Sequence, residues 1–392
     1  CYRWNPAATP PQYLVAQNDP TAAAVQVRAG RGFFVSFADT RTVRVAGTPT
    51  STSTSIGLTN GWNMIANPLP QPVKFSSFVP TVATAVKNYA FVYDNTTGSY
   101  QMVSSDASLG AARSSILGWE GAWVRATSSG VSLTVAATAG TAADKSSMKP
   151  TQADLNGGWT LPIVARAGNR ADTSSLAGVV PGSDGTQNVE NPPALSHTVD
   201  VYFTDSSGAK LAHDVRSSLG SQTFTFVVAC SVADADVTVT LPDLSNVPND
   251  YQVLLTDKQT GKTLYARTVP SYSYRSSGDS SERTFELTVS PRTIGALAVT
   301  ASAAQTRGSN VALTYTVTRA CSMNVRVLNI AGRCIRQLVT EKAVTAGVQT
   351  ELWNLCAANG TMVPSGLYLL QLEAVTDTGQ RVRTMTQVRV TR

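Results

Sequence analysis

Apolar and polar residues alternate in short runs along most of the chain. Val131, Leu133 and Val135 fall on one face of an extended segment, and Ser132 and Thr134 on the other. Val43 and Val45 show the same spacing, as do Phe224, Phe226 and Val228, then Val237, Val239 and Leu241, then Leu313, Tyr315 and Val317. The last such run places Val382, Thr384, Thr386, Val388 and Val390 together. Turn residues separate the runs. Asp94-Asn95-Thr96-Thr97-Gly98 predicts a hairpin with Gly in a left-handed position, and Lys258-Gln259-Thr260-Gly261 another. Asn329-Ile330-Ala331-Gly332-Arg333 and Asn359-Gly360 mark turns further on. No stretch sustains the 3.6-residue period of a helix. The expected fold is all-β, a tandem array of β-sandwiches.

Two parts of the chain read as copies of each other. The first runs Tyr2-Arg3-Trp4-Asn5, Tyr13, Gly32-Phe33-Phe34-Val35, Thr42-Val43-Arg44-Val45; the second runs Phe91-Val92-Tyr93-Asp94, Tyr100, Gly121-Ala122-Trp123-Val124, Val131 to Val135. Asn5 to Gly32 and Asp94 to Gly121 are equal steps, the mark of an internal repeat. Between them stands Gly61-Trp62-Asn63-Met64-Ile65-Ala66-Asn67-Pro68, the opening strand of the second copy, which has no counterpart before the first. The Ser/Thr tract Thr50 to Ser55 reads as a linker or an exposed edge strand.

The expected domains are a repeat region over 1–141, a β-sandwich over 151–297 and a third domain over 300–392. A small, polar boundary lies at 140–150. The middle domain offers strands at Trp159 to Ala165, Thr198 to Phe203, Thr223 to Val228, Val237 to Leu241, Tyr251 to Leu255, Leu264 to Thr268 and Thr284 to Val289. Gly178 to Leu195, rich in Gly, Pro and Asn, predicts a long loop.

Composition narrows the class. Charged residues are 14% of the 392, against roughly 25% in ordinary soluble domains; Ser, Thr, Ala and Val take their place, as suits sheets with polar but uncharged outer faces. The net charge of +6 is spread over single Lys and Arg residues, so no nucleic-acid groove is expected. No apolar run approaches the ~20 residues of a membrane span. The opening Cys1-Tyr2-Arg3-Trp4-Asn5-Pro6 lacks the basic start and apolar core of a signal peptide. An export signal is therefore expected to have been removed, or the chain to be a processed or partial product. The five cysteines are Cys1, Cys230, Cys321, Cys334 and Cys356, at spacings that match no zinc motif. Either one disulfide forms among Cys321, Cys334 and Cys356, with Cys334 and Cys356 the pair to test, or these are plain buried thiols.

The last ninety or so residues carry Val325-Arg326-Val327-Leu328-Asn329-Ile330-Ala331-Gly332-Arg333, then Trp353-Asn354, then Pro364-Ser365-Gly366-Leu367-Tyr368. This order resembles the immunoglobulin-like module first named from the flagellar hook-capping protein and the C-terminal modules of secreted bacterial proteins. Family members often use it as a sorting or anchoring tail; the ending here, Arg389-Val390-Thr391-Arg392, is not strongly basic. From the residues themselves, Gly332 should permit a tight turn, Trp353 should fill the core and Tyr368 should pack at a sheet edge. The Gly61-Trp62-Asn63 repeat is similar to a β-repeat of large secreted or surface-attached bacterial proteins. The resemblance implies no catalytic residues.

Candidate chemistry is sparse. The two histidines are His197 and His213; His213-Asp214 has no activated nucleophile beside it, and the expected reading is a surface histidine. Asp172, Asp184, Asn188 and Glu190 offer oxygens near a Gly-rich loop, a weak case for calcium against a solvated loop. No other cofactor is expected. Trp62, Trp119 and Trp123 are either core residues or a sugar-binding platform. These features predict a non-enzymatic extracellular or cell-surface structural protein: a subunit of a fibre, filament or surface layer, with an adhesive role in prospect. The alternative is a non-catalytic polysaccharide-binding accessory region of a larger secreted hydrolase. Copies of the chain are expected to join through β-strand contacts at Tyr2, Trp4, Phe33 and Val35, where the first repeat copy lacks a strand. The donated strand is sought in Thr50 to Ser55 or in the strand ending at Arg392. A strand lying upstream in the native chain would equally complete the copy.

Overall fold

The computed structural model describes residues 2–15, 26–37, 42, 48, 50, 52–139, 149–151, 153–183, 187–194, 198–277, 281–291, 297–306 and 310–391. The expectations that fall on Val43, Val45, Cys1, Asp184, His197, Arg392 and the boundary at 140–148 lie outside these residues. The fold is all-β, and among the described residues the only helical turns are single 3₁₀ turns. The chain divides into two compact units, Cys1–Ser217 and Ser218–Arg392, and each is taken by itself.

The first unit begins with β1 (Tyr2–Asn5), β2 (Gln12–Val15), β3 (Thr54–Leu58), β4 (Gly61–Ala66), β5 (Val73–Lys74), β6 (Phe78–Pro80), β7 (Val86–Asp94), β8 (Ser99–Ser104), β9 (Ser115–Ile116), β10 (Gly121–Ala126) and β11 (Val131–Val135). One sheet has the order β4-β10-β7-β8, and a second the order β3-β11-β6. Strand period fixes what each face carries. In β7, Ala90 and Val92 point one way and Tyr89 and Phe91 the other; in β10, Ala122, Val124 and Ala126 oppose Trp123. The small residues meet Leu133, Val135, Ile56 and Leu58 of the second sheet in one core, and the aromatic side faces a second core. The four-stranded sheet is thus buried on both faces.

The Gly-Trp-Asn stretch is explained by its backbone. Asn63 is buried, donates to the carbonyls of Thr59 at 2.7 Å and Gly61 at 2.9 Å, and accepts from the Thr59 amide at 3.0 Å, closing the turn before β4. Asn67 does the same after β4: it donates to the carbonyls of Gln71, Ile116 and Leu117 and accepts from the Leu69 amide. Both are buried amides with their bonds made. Thr54 and Ser55 of the Ser/Thr tract begin the edge strand β3, while Ser51 lies outside the described residues.

β4 is flanked on both edges. On one side it pairs antiparallel with β10, Gly121 to Ala126 against Ala66 to Gly61. On the other, Arg31 bridges Ile65, the Gly32 amide reaches the Met64 carbonyl and the Ala66 amide reaches the Gly30 carbonyl at 2.9 Å. That segment in turn bonds β1, with Tyr2 and Phe34 exchanging amide-to-carbonyl bonds of 2.7 and 2.8 Å, and β1 pairs with β2. β4 thus has residues 30–32 on one edge and β10 on the other.

β12 (Trp159–Ala167), β13 (Arg170–Val179), β14 (Val189–Glu190), β15 (Val199–Thr204) and β16 (Lys210–Arg216) complete the unit. β12 pairs antiparallel with β13, β13 parallel with β16, and β16 antiparallel with β14 and β15. β13 was hidden in sequence by its polar run Asp172-Thr173-Ser174-Ser175, and β14 lies inside the expected long loop.

The second unit contains β17 (Gln222–Cys230), β18 (Asp236–Thr240), β19 (Tyr251–Asp257), β20 (Thr263–Tyr265), β21 (Ser271–Arg275) and β22 (Ser281–Pro291), then β23 (Val299–Gln305), β24 (Val311–Val317), β25 (Cys321–Asn329), β26 (Cys334–Val344), β27 (Gly347–Trp353), β28 (Gly366–Val375) and β29 (Arg381–Val390). β22 pairs with β17 and β19, β19 with β20, and β18 with β21. The last seven strands form a sandwich, β23-β24-β27 against β26-β25-β28-β29, around Trp353, Tyr315 and the β25 and β28 aliphatics. Trp353 is buried as expected and Gly332 takes a φ of 79°. Tyr368 differs from the expectation of an edge position: it is buried against Trp353, ring centroids 5.4 Å apart, and its hydroxyl donates to the Pro364 carbonyl at 2.8 Å.

Candidate functional site

The β1-β2 hairpin places Trp4 opposite Tyr13 and Tyr2 opposite Val15. It lies on the aromatic face of the four-stranded sheet, where Trp4, Tyr13, Phe34 and Trp62 pack with buried Trp123, Tyr89 and Phe91. The rings meet edge to face: Trp4 to Tyr13 at 5.1 Å, Trp4 to Trp123 at 5.4 Å, Phe34 to Tyr93 at 6.1 Å and Tyr93 to Tyr100 at 5.5 Å. Such pairs contribute about 0.5–1.5 kcal/mol each beyond their area, so the cluster is a rigid floor. Two of its polar tips are tied: Trp123 Nε1 donates to Tyr100 Oη at 2.9 Å, which donates to the Pro193 carbonyl at 3.1 Å. Burial raises the Tyr13, Tyr89 and Tyr100 phenols above their ordinary value, so all three stay neutral.

A groove of about 530 Å³ opens beside this floor, lined by Tyr2, Tyr13, Phe34, Phe37, Tyr93, Asn95 and Arg170, with Val15, Val35, Ser36 and Ala194. Tyr2 and Phe37 are 40% and 48% exposed and offer ring surface to solvent. Arg170, at the start of β13, donates from Nη1 to Tyr93 Oη at 2.8 Å, which fixes its guanidinium over the groove's polar end. Asn95 is presented by the hairpin turn. Asp94 pins that turn by accepting from the Thr96 amide, Thr97 Oγ1 and Gln101 Nε2. No Asp, Glu, His or Cys is among the described lining residues.

The residues singled out in sequence are distributed as follows. Tyr2 and Val35 line the groove, Trp4 sits half-buried in its floor and Phe33 is half-buried. These positions have chain segments on either side, since β1 lies between β2 and Phe34, and residues 30–34 lie between β1 and β4. Of the three tryptophans, Trp123 is buried, Trp62 packs partly buried beside it, and Trp119 is 70% exposed in a left-handed backbone conformation away from the groove. His213 is a correction. It is a buried residue, not a surface one; Nε2–H donates to the Ser174 carbonyl at 3.1 Å, and burial lowers its pKa to about 4. Asp214 pairs with Arg216. Asp172 is buried and accepts from the Ser174 and Val201 amides, Asn188 accepts from the Val215 amide, and Glu190 pairs with Arg125 at 2.6 Å; each is engaged separately, and the described residues hold no group of three or more acidic, His or Cys side chains that could bind a metal. The four described cysteines are free thiols: Cys230 and Cys321 buried, Cys334 exposed and Cys356 half-buried. Reading the sequence alone missed Tyr13, Tyr93, Asn95 and Arg170. Tyr13 and Tyr93 are among the positions read as repeated and Asn95 lies in the predicted hairpin turn, whereas Arg170 comes from a strand that the polar run concealed.

No protein-family model matches the chain, and no curated protein does. Among solved structures, it is similar to dimeric latent PorU from Porphyromonas gingivalis (11% identity over 60% of this chain and 30% of that one, TM-score 0.21). It is similar also to apo Bacteroides uniformis beta-glucuronidase 3 (8% identity, 51% of this chain and 35% of that one, TM-score 0.17). A third is the tetra-tandem repeat in the extending region of a large adhesion protein (11% identity, 78% and 92%, TM-score 0.15). The chain thus spans about a third of the first two proteins, and similarity at this level transfers no function. No helix of the described residues is long and apolar enough to cross a membrane.

Proposed function

We propose that this chain is a non-catalytic, extracellular β-sheet protein of a cell surface that binds saccharide through the aromatic groove. The groove itself carries the reading. Exposed faces of Tyr2 and Phe37 suit the C–H faces of a sugar ring, and Asn95 and Arg170 supply directional partners for hydroxyl groups. Its volume of about 530 Å³ falls within the roughly 300–1,000 Å³ of small-ligand sites. The described lining residues include no carboxylate, His or Cys to serve as a general acid or base. The test is electrophoresis through gels cast with individual neutral polysaccharides. The native chain is expected to be retarded by at least one of them, and Tyr2→Ala and Arg170→Ala to migrate freely. No retardation in any gel, or equal retardation of the variants, would remove the reading.

A second reading, a fibre subunit, is supported by the outer edge of β2, which has no strand partner among the described residues. Sedimentation velocity across a concentration series tests it. Growing assemblies abolished by Val15→Pro, whose amide faces away from β1, are expected; a monomer at every concentration ends it.

A further inference from the structure

A second cavity lies in the same unit, built from residues of the opposite face of β1. Trp4 packs into the aromatic core and Tyr2 lines the groove beside it, so Arg3, between them on β1, points to the other face. There Arg3 meets Arg28 and Arg31 around a pocket of about 250 Å³ that Ser55 and Asn63 help to line. Each arginine is placed by backbone chemistry. Arg3 Nη1 donates to the Gly32 carbonyl at 2.8 Å, spending one of its donors to fix the guanidinium. Arg28 and Arg31 sit at the two ends of one tight turn, closed by the Arg31 amide on the Arg28 carbonyl and made possible by the φ of 77° at Gly30. No Asp or Glu lines the pocket among the described residues. Arg28 Nη2 also donates to Gln26 Oε1 at 3.2 Å and Arg31 Nη1 to the Gln26 carbonyl at 3.4 Å, which holds both side chains at this end of the turn. Gathering guanidinium groups around one pocket costs electrostatic energy. Burial, and after it the charge of Arg31, accordingly lowers the Arg3 pKa to about 10.

We propose that this pocket is an oxyanion site, which takes one sulfate, phosphate or carboxylate group. Planar guanidinium forks are matched to such groups through paired N–H donors. Its arginines are not among the residues that line the saccharide groove, although Trp4 of the groove's floor also borders the pocket, and the proposal does not depend on the groove reading. The anion has two sources with the same chemistry, a free ion or an acidic substituent on a sugar.

The experiment is isothermal titration calorimetry of the full chain with sodium sulfate, with glucose 6-sulfate and with glucose, against sodium chloride at matched ionic strength. Saturable binding of sulfate with one site per chain is expected, weakened at least about tenfold in Arg3→Gln and in Arg28→Gln, as loss of a charge-assisted pair implies. Arg28 is exposed, so its variant keeps the fold if Arg3→Gln does not; far-ultraviolet circular dichroism checks each. Tighter binding of glucose 6-sulfate than of sulfate assigns the anion to a saccharide, and equal binding assigns it to the free ion. Tyr2→Ala should leave sulfate binding unchanged, so failure of the groove and failure of this pocket are told apart. Absence of saturable sulfate binding, or identical binding by native chain and Arg28→Gln, overturns the proposal.

Discussion

Single positions show how closely this fold is drawn. Gly32 has no left-handed φ, yet a Cβ there would lie 2.1 Å from the Ile65 carbonyl oxygen, because residues 30–32 run directly against β4. Gly32→Ala is expected to cost about 1–3 kcal/mol, the range for forcing atoms into a filled site. Gly57→Ala, at a site with nothing within 4 Å, should be neutral or better, and urea melts of both decide. His213 gives a dependence on pH. Its pKa is lowered from 6.5 to about 4 by burial, so unfolding takes up a proton at any pH between these values. The stability it contributes is fully present above 6.5 and is lost as pH falls toward 4. Nearby Asp172 acts in the opposite sense: burial, then the charge of Asp200, raises it to about 7, so its contribution is present below 3.8 and lost as pH rises. The two offset each other in the native chain. The difference between native and His213→Gln separates them, and it should shrink by on the order of 3 kcal/mol from pH 6.5 to 4, since one proton taken up on unfolding changes stability by about 1.4 kcal/mol for each pH unit. A gap independent of pH would show that His213 titrates as it would in water.

Elements differ in what holds them. The terminal sandwich depends on one ring: Trp353 is buried, donates from Nε1 to the Cys356 carbonyl at 3.0 Å and packs on Tyr368. Trp353→Ala should cost on the order of 3–5 kcal/mol, read as a lower midpoint in denaturant; a loss below about 1 kcal/mol would contradict the burial. In β19 the anchor is a charge. Asp257 is buried and accepts from Arg283, Tyr272 Oη, Thr260 Oγ1 and the Gln259 amide, joining β19, β21, β22 and the turn that follows β19. Burial by itself would raise its carboxyl, but these donors outweigh it and hold the group well below the ordinary value. The stability it contributes is therefore present above about pH 4 and is lost on acidification below it. Asp257→Ala leaves Arg283 without its carboxylate and is expected to cost about 3–5 kcal/mol at pH 7, less in acid. An equal cost at pH 7 and pH 2.5 would mean that the charge is not what matters.

Across the whole molecule, the strands with strict alternation were readable in the sequence, and so were the hairpins at Gly98 and Gly261, because period and left-handed glycines are local facts. β13 and β16 were not. Asp172, Ser174 and Ser175 of β13 look like a loop until their partners, the Val201 amide and carbonyl and the His213 ring, are seen to come from elsewhere in the chain. The groove was half legible for the same reason: Tyr2 and Val35 stood out, while Arg170 joined them only through tertiary folding. The thiols give a chain-wide check on burial. Cys334 should label quickly in the native protein and Cys356 more slowly; Cys230 and Cys321 should label only after unfolding, since both are buried and the Cys321 thiol is pushed up to about 12. Mass mapping that finds neither Cys334 nor Cys356 labelled in the unfolded, unreduced chain would establish a bond between them.

β4, held between residues 30–32 and β10, also sets an order of events. β1 and residues 30–34 leave a ribosome or an export pore before Gly61–Ala66 does, yet among the described residues it is that strand that closes their inner edge. β4 in turn rests on β10, whose last residue is Ala126. The earliest part of this stretch to emerge is thus the last to find its place. A nascent chain halted before Gly121 should hold its first residues open to protease, and one released beyond Val135 should close them in a single step.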